Sequence, residues 1–401
     1  MPTSEPTLKY VFLSAFLACL VPLCLCASVA TFFPVLFTSL PPLSPPDPKT
    51  KETAKMKLGL TLAVGGPAPR INIDLVLEAE ALGYDSVWTG EAYGTDAVTP
   101  AAWGLARTTK IKAGTGIMQM SARTPTCAAM TAMTLQALSG NRFLCGVGPS
   151  GPQVIEGWHG QPFGKPIDRT REYIAIIRQI LAREKPLTFD GEYYQIPYKG
   201  PGASGLAKPL RSMTHGNPDM KFYTASITPG GLRVSGEVSD GNIPIFMSPE
   251  KADLMCKTVL DGMAKAGRPV TLENFDVAPH VKIRVGRDVP ALRDSCKPEL
   301  ALYIGGMGAR GKNYYNDYAK RLGYEDAAIK IQDLYLDGKK DAAAALVPDA
   351  MVDELALIGP KERIKDRLAA WQQASRDHKV GTMILTGANS EALRVVAEAV
   401  L

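Results

Sequence analysis

The chain has 401 residues, 46% hydrophobic and 21% charged, which is the composition of a soluble globular protein. Its length suits either two domains of about 150–200 residues or one large barrel. The formal net charge is +5, with basic residues scattered rather than massed or interleaved with aromatics, so the electrostatic footprint of a nucleic-acid binder is missing. Of seven cysteines, Cys19, Cys24 and Cys26 lie in an apolar stretch and Cys127, Cys145, Cys256 and Cys296 are widely spaced. With no Cys-x-x-Cys pair and no His/Cys cluster at ligand spacing, neither a zinc site nor a disulfide framework is expected.

Residues 10–46 carry no charge, and three readings stand side by side. The stretch is long enough to span a bilayer as a helix, although Pro22 and Pro34 interrupt it. It also resembles a signal peptide ending at Ser28-Val29-Ala30. Alternatively, residues 1–55 are a disposable leader, with residues 41–55 a Pro-rich and then charged linker and Met56 a natural start. The chain has no Asn-x-Ser/Thr sequon, which leans away from a glycosylated export product. The expected location is therefore the cytoplasm, with a membrane-anchored or exported protein as the alternative. Any membrane contact is confined to residues 10–40.

From Met56 onward, β-rich runs alternate with helical patterns. The runs are residues 57–62, 85–89, 111–118, 142–148, 220–225, 241–246, 275–285 and 381–385. Between them lie amphipathic stretches at 71–82, 125–138, 167–182, 230–238, 249–266 and 361–374. In the first, Ile71, Leu75, Val76, Ala79 and Leu82 recur at helical spacing, and Gly83 follows as a terminator. Eight strands alternating with helices predict parallel βαβ units closed into a single (β/α)8 TIM barrel over residues 56–401. Insertions are expected after the fourth helix, at 193–219, and between strands seven and eight, at 314–346.

Gly146-Val147-Gly148-Pro149-Ser150-Gly151 matches GxGxxG after a strand. A dinucleotide-binding turn needs a helix opening within the motif, but Pro149 and Pro152 flank the third glycine and the strand is the fourth rather than the first. In a barrel, Gly146 and Gly148 could let backbone N–H groups approach an anionic ligand, with Ser150 adding a hydroxyl. A tight turn without a ligand is the other reading.

An ordered set of segments carries a family resemblance. It comprises Leu82-Gly83-Tyr84-Asp85-Ser86-Val87-Trp88, Lys112-Ala113-Gly114-Thr115-Gly116-Ile117, and Leu138-Ser139-Gly140-Asn141-Arg142-Phe143 leading into Gly146-Val147-Gly148. Further on come Arg169-Thr170-Arg171-Glu172-Tyr173, Gly236-Glu237-Val238-Ser239-Asp240-Gly241 and Leu357-Ile358-Gly359 with Arg363 and Leu368. From Met56 to about Leu385 the chain resembles the luciferase-like monooxygenase superfamily, most closely the branch that uses the deazaflavin coenzyme F420.

The resemblance implies a cofactor across the strand ends, its ring backed by a bulge in strand three with a non-prolyl cis peptide, by position Gly116–Ile117. It implies cofactor contacts at Glu91, Gly116, Ile117, Val147, Gly148, Ser150, Ala225 and Ser226. Glu91 matches an acidic position at the end of strand two, but Ala92 stands where relatives carry histidine, and Pro149 where sugar-phosphate dehydrogenases carry a carboxylate. The strand-five loop Ala225-Ser226-Ile227-Thr228-Pro229 leads into a helix start suited to phosphate.

The expected reaction is hydride transfer at carbon 5 of the deazaflavin, with Glu91 and His159 as catalytic candidates and Tyr93 and Asp96 as reserve donors. Glu91 as a structural partner of a nearby base is the other reading of that residue. Lys165, Arg169, Arg171 and Arg123 are candidates to meet an anionic cofactor tail. Gly305-Gly306-Met307-Gly308, ahead of Tyr314, Tyr315 and Tyr318, reads either as a substrate loop or as a helix-linking turn. The alternatives are a monooxygenase using reduced FMN and oxygen, or a flavin-binding barrel without catalysis. A small-molecule substrate, no metal, and a homo-oligomer, most simply a dimer, complete the expectation.

Overall fold

The computed structural model describes residues 55–401 except 63 and 65. The expectations for the leader and linker, apart from Lys55, lie outside the described residues. Eight parallel strands form the wall: β1 Lys57–Thr61, β2 Ser86–Thr89, β3 Lys112–Thr115 resumed at Met118–Gln119, and β4 Phe143–Gly148. They continue with β5 Phe222–Thr224, β6 Gly241–Asn242, β7 Asp276–Val277 resumed at His280–Val285, and β8 Thr382–Thr386. Each pairs with the next, from β1–β2 round to β5–β6. The two halves of β7 close the ring, Asp276 lying opposite Gly241 and His280 opposite Ile384, while Lys57 of β1 lies opposite Thr382 of β8. The eight runs read from sequence hold these eight strands, with ends shifted by up to four residues.

Side chains alternate along each strand. Leu58, Leu60, Val87, Ala113, Cys145, Phe222, Val281 and Met383 face the helices and join the large core. Trp88, Leu144, Tyr223, Ile243, Ala278 and Ile384 form a separate inner cluster that fills the barrel. Trp88 is its largest member; its indole N–H donates to Ser86 Oγ at 2.9 Å, and its ring meets Tyr223 edge-on at 5.1 Å. Burying an indole of this size contributes about 4–6 kcal/mol of transfer free energy. Room for it comes from glycine: a Cβ on Gly114 would stand 2.5 Å from Trp88 Cζ3, and one on Gly59 3.2 Å from Trp88 Nε1.

The helix Pro125–Ser139 shows how sequence sets the boundaries. Thr124 Oγ1 accepts from the Cys127 amide, Pro125 occupies the first turn, and Gly140 ends the helix at φ 64.

Several elements were not read from sequence. The helix Val98–Arg107 carries Pro100 and Gly104, both of which read as breakers; Pro100 sits in the first turn, where it is tolerated. The strand Ala356–Gly359 adds to the outer edge of β7, with Ala356 opposite Lys282. The region between β7 and β8 is also helical earlier than expected, from Val289–Asp294 and Lys297–Ala301 onward. After Pro166–Ala182, residues 183–221 include a short hairpin, Phe189–Asp190 with Gln195–Ile196.

Cavities open at both ends of the barrel. The one at the strand N-termini, about 440 Å³, is lined by Lys57, Tyr223 and Asp276, tied together by Lys57–Asp276 and Tyr223–Asp276 bonds of 2.7 and 3.0 Å, and by Lys112, which pairs with Asp85 at 2.7 Å. The one at the C-terminal mouth is about 250 Å³. In barrels of this kind the N-terminal face serves stability and the C-terminal face chemistry. Among the described residues no helix is long and apolar enough to cross a membrane, and no side-chain cluster suits a metal ion.

Candidate active site at the strand C-termini

The mouth is organised by the break in β3. Between its two runs the Gly116–Ile117 peptide is cis, at the position expected from sequence. Thr115 locks the bulge to β4: its hydroxyl donates to Gly146 O at 2.7 Å and accepts from the Gly146 amide at 3.0 Å. A Cβ on Gly146 would stand 1.9 Å from Thr115 O, so only glycine fits there. The Gly146 amide is therefore committed to the strand, which corrects the expectation that it reaches an anionic ligand. Gly148 lies against the Ile117 side chain, Val147 points into the outer core, and Ser150 turns the chain at φ 59. The helix after this turn is the short Pro152–Gly157, following the fourth barrel strand, so the dinucleotide reading of GxGxxG falls.

Glu91 lies beneath this bulge with its side chain 7% exposed. One carboxylate oxygen accepts from Arg123 Nη1 and the Gln119 amide, both at 2.6 Å; the other accepts from the Ala97 amide at 2.9 Å. Gln119 Nε2 in turn donates to the carbonyls of Glu91 and Ala92 at 3.1 and 3.0 Å. Glu91 thus ties the β2 loop to the second run of β3, the arrangement of a structural partner to a nearby base.

A residue absent from the sequence expectations occupies the centre of the mouth. His280, on the inner face of β7, lies between Thr61 at the end of β1 and Thr386 at the end of β8. Its Nδ1 is 3.0 Å from Thr61 Oγ1 and 3.4 Å from Thr386 Oγ1, and the two hydroxyls are 3.1 Å apart. Nε2 points at the bulge, 3.6 Å from where a Cβ on Gly116 would be. Burial pushes the imidazole down to about 4, so the ring is neutral near pH 7. Strand alternation through Asp276, Ala278, His280 and Lys282 was the signal that could have found it, since inward residues at strand C-termini are where barrel chemistry sits.

The cavity above His280 is roofed by the segment between β7 and β8. Leu300, Tyr303, Val352 and Leu355 line it beside Ile245 and Phe246 from the β6 loop. Phe246, Tyr303 and Tyr315 pack edge-on, with centroids 5.1 and 4.7 Å apart for Phe246–Tyr303 and Tyr303–Tyr315. Gly305 and Gly306 belong to a π-helical turn pressed against Tyr335, so this glycine-rich stretch is a packed helix connection.

The strand-five loop closes another side. Asn242 Oδ1 accepts from the Ser226 amide at 3.1 Å, its Nδ2 donates to Ser226 O at 3.0 Å, and Ala225 packs against the inner cluster. The loop enters the helix Pro229–Val238, capped by Thr228 Oγ1 accepting from the Gly231 amide. Other sequence candidates fall elsewhere. His159 follows the Pro152–Gly157 helix and does not line the mouth cavity; Tyr93 is exposed; Asp96 Oδ1 accepts from the Val98 and Thr99 amides at the start of the next helix. Lys165 pairs with Glu192, Arg169 donates to Ser121 and Pro162, and Arg171 pairs with Glu237 and Asp168. Each of these cations has a protein partner.

The frame is that of a (β/α)8 barrel with a cavity at the strand C-termini beside the Gly116–Ile117 bulge. The chain belongs to the luciferase-like monooxygenase family, whose sequence model matches residues 46–378. It is 40% identical, over 346 residues, to a Mycobacterium tuberculosis protein assigned by name to the coenzyme F420-dependent oxidoreductases, covering 86% of this chain and 99% of that one. The fold is similar to the F420-dependent tetrahydromethanopterin reductase of Methanopyrus kandleri, with a TM-score of 0.69 at 20% identity, covering 86% and 98% of the two chains. It is also similar to an F420-dependent secondary alcohol dehydrogenase solved with an F420–acetone adduct, with a TM-score of 0.66 at 16% identity and the same coverage.

Proposed function

We propose that this chain is a coenzyme F420-dependent oxidoreductase acting on a small organic molecule. The observation that carries the reading is the mouth cavity at the strand C-termini, lined together by the Gly116 backbone and the His280 imidazole. The Gly116–Ile117 shelf presents backbone where a flat ring needs access. The helix start at Thr228-Pro229-Gly230-Gly231 offers the electrostatics of a phosphate site. The residues present therefore fit a deazaflavin: Gly116, Ile117, Gly148 and Ser150 would hold the ring side, with Val147 behind them in the outer core, and Ala225 and Ser226 the tail side. When bound, the cofactor supplies a hydride at carbon 5. Glu91 would act through the shelf that it braces, and His280, in place of His159, is the imidazole that lines the cavity.

The family's description as monooxygenases supports FMN as the second reading. The two separate by titrating the full-length protein with each cofactor and following fluorescence. Micromolar binding of the deazaflavin with negligible FMN binding is expected; the reverse would sink the reading. For assembly, the neighbouring helices Val98–Arg107 and Pro125–Ser139 expose Trp103, Met130 and Leu138, and we propose that this face pairs two copies. Sedimentation should show a dimer that Trp103→Glu converts to monomer; an unchanged mass would exclude this face.

A further inference from the structure

We infer that the insertion between the helix Pro166–Ala182 and β5 docks on an anionic lipid surface. Its exposed leucines and methionine enter the interface, and its lysines and arginine meet the headgroups. The contact lies at the end of the barrel opposite the mouth cavity, so it stands apart from the cofactor reading.

The place of the insertion follows from the path of the chain. β4 ends at the mouth, the helix Pro166–Ala182 returns the chain to the other end, and β5 starts again at Phe222. Residues 183–221 therefore lie at the strand N-termini. The base of the loop is fastened there: the Leu187 amide donates to Leu210 O at 2.8 Å, and Arg183 Nε to Ser212 O at 2.9 Å. Gly216 presses on the end of the helix, where a Cβ would stand 2.5 Å from Leu181 Cδ2. Above this base the chain leaves the core, and every residue from Pro201 to Arg211 is exposed.

What the loop exposes is apolar and cationic. Leu206, Leu210 and Met213 are 82%, 77% and 95% exposed, and Tyr198 joins them. A protein monomer in water seldom holds so much apolar surface in one short segment without a use for it. From Tyr193 to Pro218 the charged residues are Lys199, Lys208 and Arg211, and no carboxylate occurs. The cavity beside the base is close to balanced, with four lysines and five carboxylates in its lining, so the positive excess belongs to the loop. Apolar tips set among cations suit a negatively charged bilayer surface. A second copy docked symmetrically on this loop would instead set like charges against each other. Near an anionic surface each basic side chain strengthens attachment about fivefold, on the order of 100-fold for three, and salt screens the effect.

A second observation points the same way. Residues 10–46, which carry no charge, join the barrel through a linker that arrives at Lys55, and Lys55 lines the same cavity as Asn217 and Lys221. The attachment point of that apolar run and the base of the insertion thus share one end of the barrel. A membrane beneath this end leaves the mouth open to water.

Hydrogen exchange of the full-length protein, read by mass spectrometry, tests the contact locally. Phosphatidylcholine vesicles with about 30% phosphatidylglycerol should slow exchange in residues 198–213 by about fivefold or more, and pure phosphatidylcholine by less than about twofold. Salt at about 0.5 M should reverse the slowing. Residues 303–312, which begin at the mouth, should exchange alike with and without vesicles. Lys199→Glu combined with Lys208→Glu, and Leu206→Ser combined with Leu210→Ser, should each abolish the protection while melting as wild type does, because these side chains are exposed. No slowing on the anionic vesicles, equal slowing on both compositions, or slowing centred on residues 303–312 would overturn the inference. Slowing without vesicles that grows with protein concentration would assign the loop to a second copy and overturn it as well.

Discussion

Glu91→Ala is the perturbation that best separates bracing from proton transfer. It removes three acceptor contacts at once, to Arg123, Gln119 and Ala97. Breaking a buried ion pair by deleting one partner costs about 3–5 kcal/mol, because the remaining charge is left without compensation. Arg123 keeps 19% of its side-chain surface in solvent and retains Asp96 at 3.9 Å, which argues for the lower half of that range. Two amides left without acceptors push the other way, giving about 3–4 kcal/mol in all. In urea, with a slope of about 3 kcal/mol/M, the midpoint should fall by about 1 M. Deazaflavin affinity should weaken in parallel, since Gln119 continues the strand from the shelf. Glu91→Gln keeps an acceptor but loses the charge, so stability should fall by about 2 kcal/mol while single-turnover hydride transfer, measured with cofactor saturating, slows less than tenfold. Stability within 0.5 kcal/mol of wild type for Glu91→Gln, combined with a rate loss of about 100-fold or more, is the signature of a general acid or base and would refute the bracing argument.

Two further outcomes follow from the barrel interior. Gly114→Ala drives a methyl into the Trp88 ring, so it should cost about 1–3 kcal/mol by denaturation, and the cost should shrink when combined with Trp88→Leu. Additive effects in that double-mutant cycle would show that the two sites do not share space. For pH, His280 stays neutral in the folded protein down to about 4, whereas the unfolded chain protonates it near its ordinary value of 6.5. The unfolded state therefore holds the extra proton between these values, and stability should fall as pH drops from 6.5 towards 4, by about 2–3 kcal/mol. His280→Gln should be less sensitive across that window in urea titrations; an identical pH slope would show that the imidazole titrates normally.

The sequence showed the barrel because each strand carries its own local signature, a short β-rich run bounded by turn residues. It also located the bulge, since Gly116 and Ile117 belong to a recognisable string. What it could not show was closure between distant parts of the chain. Thr61, His280 and Thr386 are separated by hundreds of positions and meet only when β7 slots between β6 and β8. Glu91 was visible as an acidic residue after β2, yet its partners Gln119, at the end of β3, and Arg123 lie beyond the next helix, so its commitment to them was hidden. The helix Val98–Arg107 was missed because proline and glycine weigh against helix locally, while burial of Ala101 and Leu105 decides it in the fold.

The shelf at Gly116–Ile117 owes its shape to backbone and to glycines on strands β3 and β4, whereas the cavity roof comes from helices spliced into the chain after β7. On the proposed function, cofactor retention and substrate choice would be written in separate stretches of the gene. A library confined to positions such as Leu300, Tyr303, Val352 and Leu355 could redirect what the protein acts upon without disturbing the strands that carry the ring. Variation in the opposite half would erase activity towards every substrate together. The molecule is divided into a conservative module and a permissive one, and the boundary between them runs through His280.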